Sequence, residues 1–257
     1  MKENKKIWDD FWKTSTFNLE KDKSVFRQGL ASVCWKKIEN IVISRYGSLE
    51  NLKVIEIGSG RGEMSSLMAS KGARARLLDY SSIALERARV LFNNLNLQAD
   101  FILADCLDMP IELLGKFDIS MSFGLAEHFD FPQRKAIFQI HKALLNERGI
   151  CVIEVPNKYC LPYRIFKKVA ESFGYWATGP EITFSRSELK RIALASGFKD
   201  CKILGSSFMR DSFYYLFARI MSRLTNHRWI PDASRFEIAS FLDNHFGRSL
   251  VLIGMKT

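Results

Sequence analysis

The chain has 257 residues, 47% of them hydrophobic, and a formal net charge of +10 at pH 7. This length suits one large domain with modest insertions, and the hydrophobic content is ample for a buried core. Five scattered cysteines without a CxxC pair argue against a disulfide framework or a zinc site, and no apolar run is long enough to cross a bilayer, so we expect a cytoplasmic protein without a metal centre.

The first 48 residues are predicted to form an amino-terminal helical cap. Ile7, Trp8, Phe11 and Trp12 are spaced so that they share one face of a helix. Residues 49–257 are predicted to form the main domain, which begins where the pattern of the sequence changes.

From residue 52 onward, short apolar runs typical of buried strands alternate with helical patterns. Strands are predicted at 52–57, 73–78, 99–104, 117–122 and 150–155, and helices at 63–70, 82–92 and 132–145. Strands joined by helices of this length form right-handed crossovers, which favour a parallel sheet. The sequence therefore predicts an α/β fold of the Rossmann-like, doubly wound type.

Two segments interrupt this alternation and are predicted to be insertions, at about 157–184 and 206–247. The first is rich in aromatic residues, and the second contains a basic and aromatic helix predicted over 208–224. Between them, Ser185 and Glu188 form a predicted capping box at the start of a helix. Strands are predicted at 201–204 and 250–253.

The strongest motif follows the first strand and reads Glu56-Ile-Gly58-Ser-Gly60-Arg-Gly62. Glycines allow a sharp turn and the close approach of a ligand to the backbone. A dinucleotide site would need a small residue where Glu63 stands, and a pyrophosphate would meet the carboxylates of Glu56 and Glu63. A cationic sulfonium cofactor would instead be attracted by these carboxylates.

Two more carboxylates follow the next two predicted strands. Asp79 lies about 20 residues after the glycine loop, near the spacing at which an acidic residue binds a ribose diol. Asp105 follows the third strand, where it could accept a hydrogen bond from an adenine amino group while the Cys106 N–H donates to the ring. Because the carboxyl ends of parallel strands meet at one edge of a sheet, these residues predict one adenosine site.

At these residues the chain resembles the class I S-adenosylmethionine-dependent methyltransferases, over about residues 50–204 and the final strand. Phe123-Gly124-Leu-Ala-Glu-His128 and Arg148-Gly149 belong to the same likeness. The resemblance implies a seven-stranded sheet whose last strand is antiparallel, with S-adenosylmethionine as the cofactor. The candidate cofactor-binding residues are Glu56, Gly58, Ser59, Gly60, Gly62, Asp79, Tyr80, Asp105, Cys106 and Phe123.

Methyl transfer mainly requires alignment of the acceptor, and a base helps when the acceptor is a hydroxyl. His128, just past the fourth strand, is the candidate base, although a histidine satisfied by solvent or by Glu127 is the alternative. The other histidines are expected at the surface. Residues predicted to contact the acceptor are Trp8, Trp12, Tyr159, Tyr163 and Trp176, with core packing as the alternative.

The expected function is methyl transfer to a small organic acceptor, at oxygen rather than at nitrogen or carbon. The stretch 122–125 lacks the Asp/Asn-Pro-Pro-aromatic motif of many nucleic-acid amino-methyltransferases, although the +10 charge keeps RNA as a weaker alternative. A membrane-associated lipid, quinone or envelope precursor is another alternative, with peripheral membrane contact through 207–223. The last alternative is a regulatory or scaffolding protein that binds the cofactor without catalysis. The pattern does not indicate an oligomeric state.

Overall fold

The structure is a computed structural model that describes residues 2–14, 18–176, 178–225 and 233–256. Within these ranges, one sheet contains the strands β1 (Lys53–Ile57), β2 (Arg74–Asp79), β3 (Ala99–Leu103), β4 (Phe117–Phe123), β5 (Leu145–Pro156), β6 (Asp200–Gly205) and β7 (Ser249–Met255). Their order across the sheet is β3-β2-β1-β4-β5-β7-β6. Strands β1 to β5 pair in parallel, and β7 is antiparallel to β5 and β6. The predicted α/β fold with an antiparallel last strand is confirmed.

The α-helices of the described ranges are α1 (Lys2–Thr14), α2 (Leu19–Ala31), α3 (Val33–Tyr46), α4 (Glu63–Ser70), α5 (Ser82–Asn94), α6 (Phe131–Leu144), α7 (Leu161–Ser172), α8 (Arg186–Ala195), α9 (Phe208–Phe213), α10 (Arg219–Leu224) and α11 (Asp243–Phe246). None of them is long and apolar enough to span a membrane. A π-helical turn, Tyr214–Ala218, separates α9 from α10. The single helix predicted over 208–224 is therefore divided.

Helices cover both faces of the sheet because alternate strand residues point to opposite sides. Val152 belongs to the cluster that includes Trp35 and Ile38 of α3, whereas Ile153 belongs to the cluster that includes Phe138 of α6. Both clusters are almost completely buried. The carboxyl ends of the parallel strands stay uncovered by these layers and form the edge on which a site can be built.

Two local predictions need correction. Strand β5 begins at Leu145 rather than at residue 150, because Leu145 pairs with Phe117 across a register shift in β4. Ser185 does accept the backbone N–H of Glu188, but the Glu188 carboxylate lies 3.1 Å from Arg134 Nη1 instead of capping the helix start. The long-range ion pair replaces the reciprocal half of the capping box.

His141 was expected at the surface and is instead fully buried on α6. Its Nδ1 lies 3.0 Å from Ser120 Oγ, and its Nε2 lies 3.0 Å from Ser122 Oγ. Burial lowers its pKa to about 3. The two serine hydroxyls provide hydrogen-bond partners for both nitrogens of a neutral ring. The sequence around His141 did not reveal these partners, because they lie on β4. His227 lies outside the described residues, and His245 is exposed as expected.

The buried His141 should make the protein sensitive to acid. Since the unfolded chain takes up this proton near pH 6.5 and the folded one near pH 3, stability from this residue is present above pH 6.5 and falls as the pH decreases, by about 1.4 kcal/mol per unit. Urea unfolding between pH 6.5 and 4 should show a shallower pH slope for His141→Gln than for wild type. Equal slopes would contradict this assignment.

Candidate active site

The glycine loop between β1 and α4 has a conformation that requires glycine. Gly58 and Gly60 have φ values of +60° and +53°, where a Cβ is strained. A Cβ on Gly58 would lie 2.6 Å from Leu125 Cδ1, and one on Gly60 would lie 2.7 Å from the Trp12 ring. Both glycines line the cavity at the carboxyl end of β1, and the side chains of Leu125 and Trp12 pack closely against them.

Asp79 at the end of β2 fixes this loop in place. One of its oxygens accepts the Gly60 N–H at 2.8 Å, and the other accepts the Ser81 N–H at 2.9 Å. The residue is 6% exposed, and burial raises its pKa. A carboxylate has about four acceptor positions, so Asp79 keeps capacity for a ribose diol. Tyr80 follows it and lines the same cavity.

The third strand brings the predicted adenine contacts to the same edge. Asp105 accepts the Leu107 N–H at 2.9 Å through one oxygen, which orders the turn after β3. Cys106 is 4% exposed, and burial raises the pKa of its thiol to about 12, so it is an unreactive thiol rather than a nucleophile. Both residues line the cavity beside the glycine loop.

Glu56 lies beneath the loop and is 3% exposed. One of its oxygens accepts hydrogen bonds from the backbone N–H and the hydroxyl of Ser65, at 3.1 and 2.5 Å. Burial raises its pKa to about 8, although these hydrogen bonds oppose the shift. The carboxyl group is therefore largely protonated at neutral pH and can ionise when a cation approaches.

This behaviour gives a measurable prediction. A cationic cofactor beside Glu56 favours the carboxylate, so binding at pH 7 should release close to one proton. Calorimetric titrations with S-adenosylmethionine in phosphate and in Tris should then differ in apparent enthalpy. The difference should disappear in Glu56→Gln. Equal enthalpies for the wild-type protein in the two buffers would show that Glu56 does not respond to the ligand.

The site as a whole is one cavity of about 1110 Å³ that extends along the carboxyl edge of the sheet. This volume exceeds the roughly 300–1,000 Å³ of a pocket for one small ligand. We call the part over β1, β2 and β3 the cofactor half. The part over β4, β5 and β7, which contains His128, Glu154, Arg210, Glu237 and Arg248, is the acceptor half.

His128 belongs to the short turn after β4 and lines the acceptor half, with 12% of its side chain exposed. Its Nδ1 lies 2.9 Å from the Pro180 carbonyl oxygen. A carbonyl can only accept, so Nδ1 carries the proton and Nε2 keeps its lone pair. Burial lowers the pKa of His128 below its usual value, which keeps the ring neutral.

The two tryptophans of α1 line the cavity, but only Trp8 lies in the acceptor half. Trp8 contacts His128 edge to face, with ring centroids 5.2 Å apart. Trp12 packs over Gly60 in the cofactor half. Asp9 accepts a hydrogen bond from Ser81 at 2.5 Å and so fastens the helix to the strand edge. Helix α1 thus spans both halves.

The predicted aromatic acceptor wall from the first insertion is not formed. Among the described residues that line the cavity, Tyr159, Tyr163 and Trp176 do not occur. Tyr159 is 53% exposed, the Tyr163 hydroxyl donates to Glu181, and Trp176 Nε1 donates to the Gly179 carbonyl. The hydrogen bonds to Glu181 and Gly179 hold Tyr163 and Trp176 away from the cavity lining.

Sequence reasoning missed the charged residues of the site. Arg61 is buried inside the glycine loop, and its Nη2 lies 2.6 Å from Asp22 of α2. In the acceptor half, Arg248 Nη2 lies 3.1 Å from Glu154 Oε1. Glu154 could have been identified as a site residue, because it is a single charged residue inside an apolar run of β5. The two arginines could not, because their partners are far away in sequence.

Fold and site together define the class of this protein: a doubly wound sheet whose glycine loop and strand-end carboxylates line one cavity at the carboxyl edge. A family model described as a methyltransferase domain matches residues 48–217, which is more than half of the chain. The chain therefore belongs to this methyltransferase family.

Two curated relatives share about a quarter of their aligned residues with this chain. The ubiquinone biosynthesis O-methyltransferase of Psychrobacter arcticus is 26% identical over 176 residues, which cover 61% of this chain and 63% of that protein. The enzyme of the same name from Aromatoleum aromaticum is 26% identical over 170 residues, 65% of this chain and 72% of that protein. The match thus spans less than two thirds of the first relative.

Among solved structures, the magnesium protoporphyrin IX methyltransferase of Synechocystis with bound S-adenosylhomocysteine is similar in fold. Its TM-score is 0.58 at 16% identity, and the superposition covers 98% of this chain and 94% of that one. At this identity the likeness concerns the fold alone. It agrees with a seven-stranded sheet with an antiparallel β7.

The residues present fit the cofactor. Ser59 Oγ is buried in the glycine loop without a hydrogen-bond partner among the described residues, and such an atom is stabilised when a ligand pairs with it. Gly58 and Gly60 would hold the ligand through bare backbone, Asp79 would hold the ribose, and Asp105 the adenine. When bound, S-adenosylmethionine supplies an electrophilic methyl group.

Proposed function

We propose that the protein transfers a methyl group to a hydroxyl oxygen of a small organic acceptor, with His128 as the general base. The observation that carries this proposal is the hydrogen bond between His128 Nδ1 and the Pro180 carbonyl, which leaves the lone pair on Nε2 of a residue that lines the acceptor half. Glu127 Oε1 lies 4.0 Å from this Nε2. A phenolic hydroxyl has a pKa of about 10. Its proton must therefore be removed as the oxygen–carbon bond forms.

The chain's residues have separate tasks in this proposal. His128 Nε2 takes the hydroxyl proton, and Trp8 restricts the ring through its edge-to-face contact. Helix α1 covers both halves of the cavity and excludes water, which lowers the cost of bringing a neutral oxygen to a cationic methyl donor. The leaving thioether is neutral, so no acid is needed.

The names of the curated relatives support a phenolic or quinone-type acceptor. Each of the relatives described above is named as an O-methyltransferase of ubiquinone biosynthesis. At 26% identity the acceptor itself can differ, whereas methylation at oxygen agrees with the neutral base that we assign to His128. Methylation of RNA is the alternative, because a net charge of +10 favours binding to a polyanion, and the experiment below therefore includes an RNA fraction.

The experiment is a transfer assay with methyl-labelled S-adenosylmethionine and a cell extract divided into aqueous small-molecule, lipid and RNA fractions. We expect protein-dependent label in a small-molecule or lipid product that mass spectrometry identifies as a methyl ether. Label in RNA, or on nitrogen or carbon, would contradict the proposal. Binding of the cofactor with no transfer to any fraction would instead favour a regulatory or scaffolding protein.

A lipid-soluble acceptor is the second candidate, and we propose contact with an anionic bilayer through α7. Its residues Leu161, Ile165 and Val169 recur at every fourth position and are 60%, 51% and 50% exposed, an apolar stripe that faces solvent. Exposed Arg164 and Lys168 flank it. This arrangement fits an interface of anionic lipids. The segment 207–223 also exposes Leu216 and Phe217, at 51% and 44%, whereas its Asp211, Ala218 and Ser222 are buried.

Sedimentation with phosphatidylglycerol vesicles tests this contact. We expect the protein to bind, and Ile165→Glu to lower the affinity about tenfold, because an apolar side chain of this size contributes about 1.5–3 kcal/mol on burial. The control is Leu194→Glu on α8, which alters a residue that is 46% exposed and lies away from the stripe. Equal loss in both variants, or no binding at all, would contradict the contact.

A further inference from the structure

The floor of the acceptor half contains an ion pair between Glu154 and Arg248. Glu154 lies near the carboxyl end of β5, and Arg248 directly precedes β7, which pairs with β5 in antiparallel register. Arg248 Nη2 lies 3.1 Å from Glu154 Oε1. Both residues line the cavity, so this pair faces any acceptor that reaches His128.

Arg248 is held in a fixed orientation by further partners. Its Nη1 lies 3.4 Å from the Tyr215 hydroxyl, and its Nε lies 3.1 Å from Ser249 Oγ. The backbone N–H of the same residue donates to Asp211 at 2.9 Å. All three side-chain nitrogens thus have partners, and the guanidinium serves to hold Glu154 in place.

Glu154 keeps one oxygen for a ligand. Its Oε1 receives Arg248, whereas Oε2 has no hydrogen-bond partner among the described residues. The side chain is 10% exposed, and that exposure is toward the cavity. An oriented carboxylate oxygen in a largely dry site is a strong acceptor for a hydroxyl or ammonium group.

The second guanidinium of the acceptor half is also neutralised. Arg210 Nη1 lies 3.1 Å from Asp211, and its Nε lies 3.4 Å from Glu237. Within the described lining of this half, three carboxylates therefore face two guanidiniums. An anionic acceptor would therefore meet a lining whose carboxylates outnumber its guanidiniums, and like charges repel.

We infer that the acceptor is a neutral or cationic molecule whose hydrogen-bond donor pairs with Glu154 Oε2, and that the site discriminates against acceptors with an anionic group. This inference rests on the proposed function and adds a specificity residue to it. Glu154 orients the acceptor and rejects anions, whereas His128 takes the proton.

Three probes with the same vicinal hydroxyls test the charge preference: 4-methylcatechol, dopamine and 3,4-dihydroxybenzoate. We expect kcat/KM for the carboxylate probe to be at least about tenfold below that for the other two, because the lining of the acceptor half has an excess of negative charge. A carboxylate probe methylated as well as the neutral one, or better, would overturn the inference.

Glu154→Gln should reduce this discrimination by about tenfold, because Arg248 loses its counter-charge and can pair with the carboxylate probe. For 4-methylcatechol, KM should rise more than kcat falls. The matched control is Glu147→Gln at a side chain that is 87% exposed. S-adenosylhomocysteine affinity, measured by calorimetry, should stay unchanged in both variants. An unchanged ratio between probes in Glu154→Gln would refute the role of this residue.

If none of the catechols is methylated, the labelled product of the extract assay gives the answer after anion-exchange chromatography. A product in the unretained fraction supports the charge inference, and one retained by the column overturns it. Label on nitrogen or carbon of an unretained product would refute the proposed O-methylation and leave the charge inference standing. No label in any fraction would contradict both.

Discussion

Gly58→Arg is expected to weaken S-adenosylmethionine binding by at least about a hundredfold, or about 2.8 kcal/mol. The backbone φ of +60° strains any side chain at this position, and the Cβ would meet Leu125 Cδ1 at 2.6 Å. The side chain must then leave through the cofactor half, where it fills space and places a cation beside a cationic ligand. Calorimetry with S-adenosylmethionine measures the loss.

The matched control is Gly115→Arg. Gly115 also has a positive φ, +71°, but a Cβ there would have no neighbour within 4 Å. This variant has the same backbone strain and the same added charge away from the cavity, so its cofactor affinity should equal that of wild type. Comparable losses in the two variants, or normal binding by folded Gly58→Arg, would show that the cofactor does not use the glycine loop.

His128→Gln is expected to lower kcat by about 10²–10⁴, the usual contribution of a general base. Glutamine retains a side chain of similar reach but cannot take a proton. Since His128 lies in the acceptor half, S-adenosylmethionine affinity should not change. Single-turnover transfer to 4-methylcatechol measures the rate. His245→Gln, at an exposed histidine, is the control and should retain full activity.

The pH dependence of kcat gives a second view of the same residue. Burial lowers the pKa of His128 below 6.5, while the hydrogen bond to Pro180 partly opposes the shift. The neutral ring is the active form, so kcat should be flat from pH 7 upward and fall only as the pH drops below about 6.5. A limb above neutrality, or one that persists in His128→Gln, would assign the base to another group.

The cofactor half could be predicted from sequence because its signals are local. Gly58 and Gly60 are needed where one strand turns into one helix, and Asp79 and Asp105 each end a strand. The parallel sheet then brings them to one edge without further information. The antiparallel direction of β7 was predicted only from the family resemblance, because no local feature of its residues indicates the strand direction.

The acceptor half could not be predicted in the same way, because it depends on contacts between distant segments. Aromatic content suggested Tyr159, Tyr163 and Trp176 as a wall, but polar partners or solvent hold them elsewhere. The pairing of Glu154 with Arg248 joins two strands that are adjacent only in the folded sheet. His141 was misplaced for the same reason, since its serine partners lie on β4.

The most direct test is a crystal structure of the protein with S-adenosylhomocysteine bound. We expect the ribose hydroxyls at Asp79, the adenine beside Asp105, and the sulfur directed toward the acceptor half and His128. A ligand bound outside the cavity, or one whose sulfur points away from β4 and β5, would contradict the assignment of the two halves.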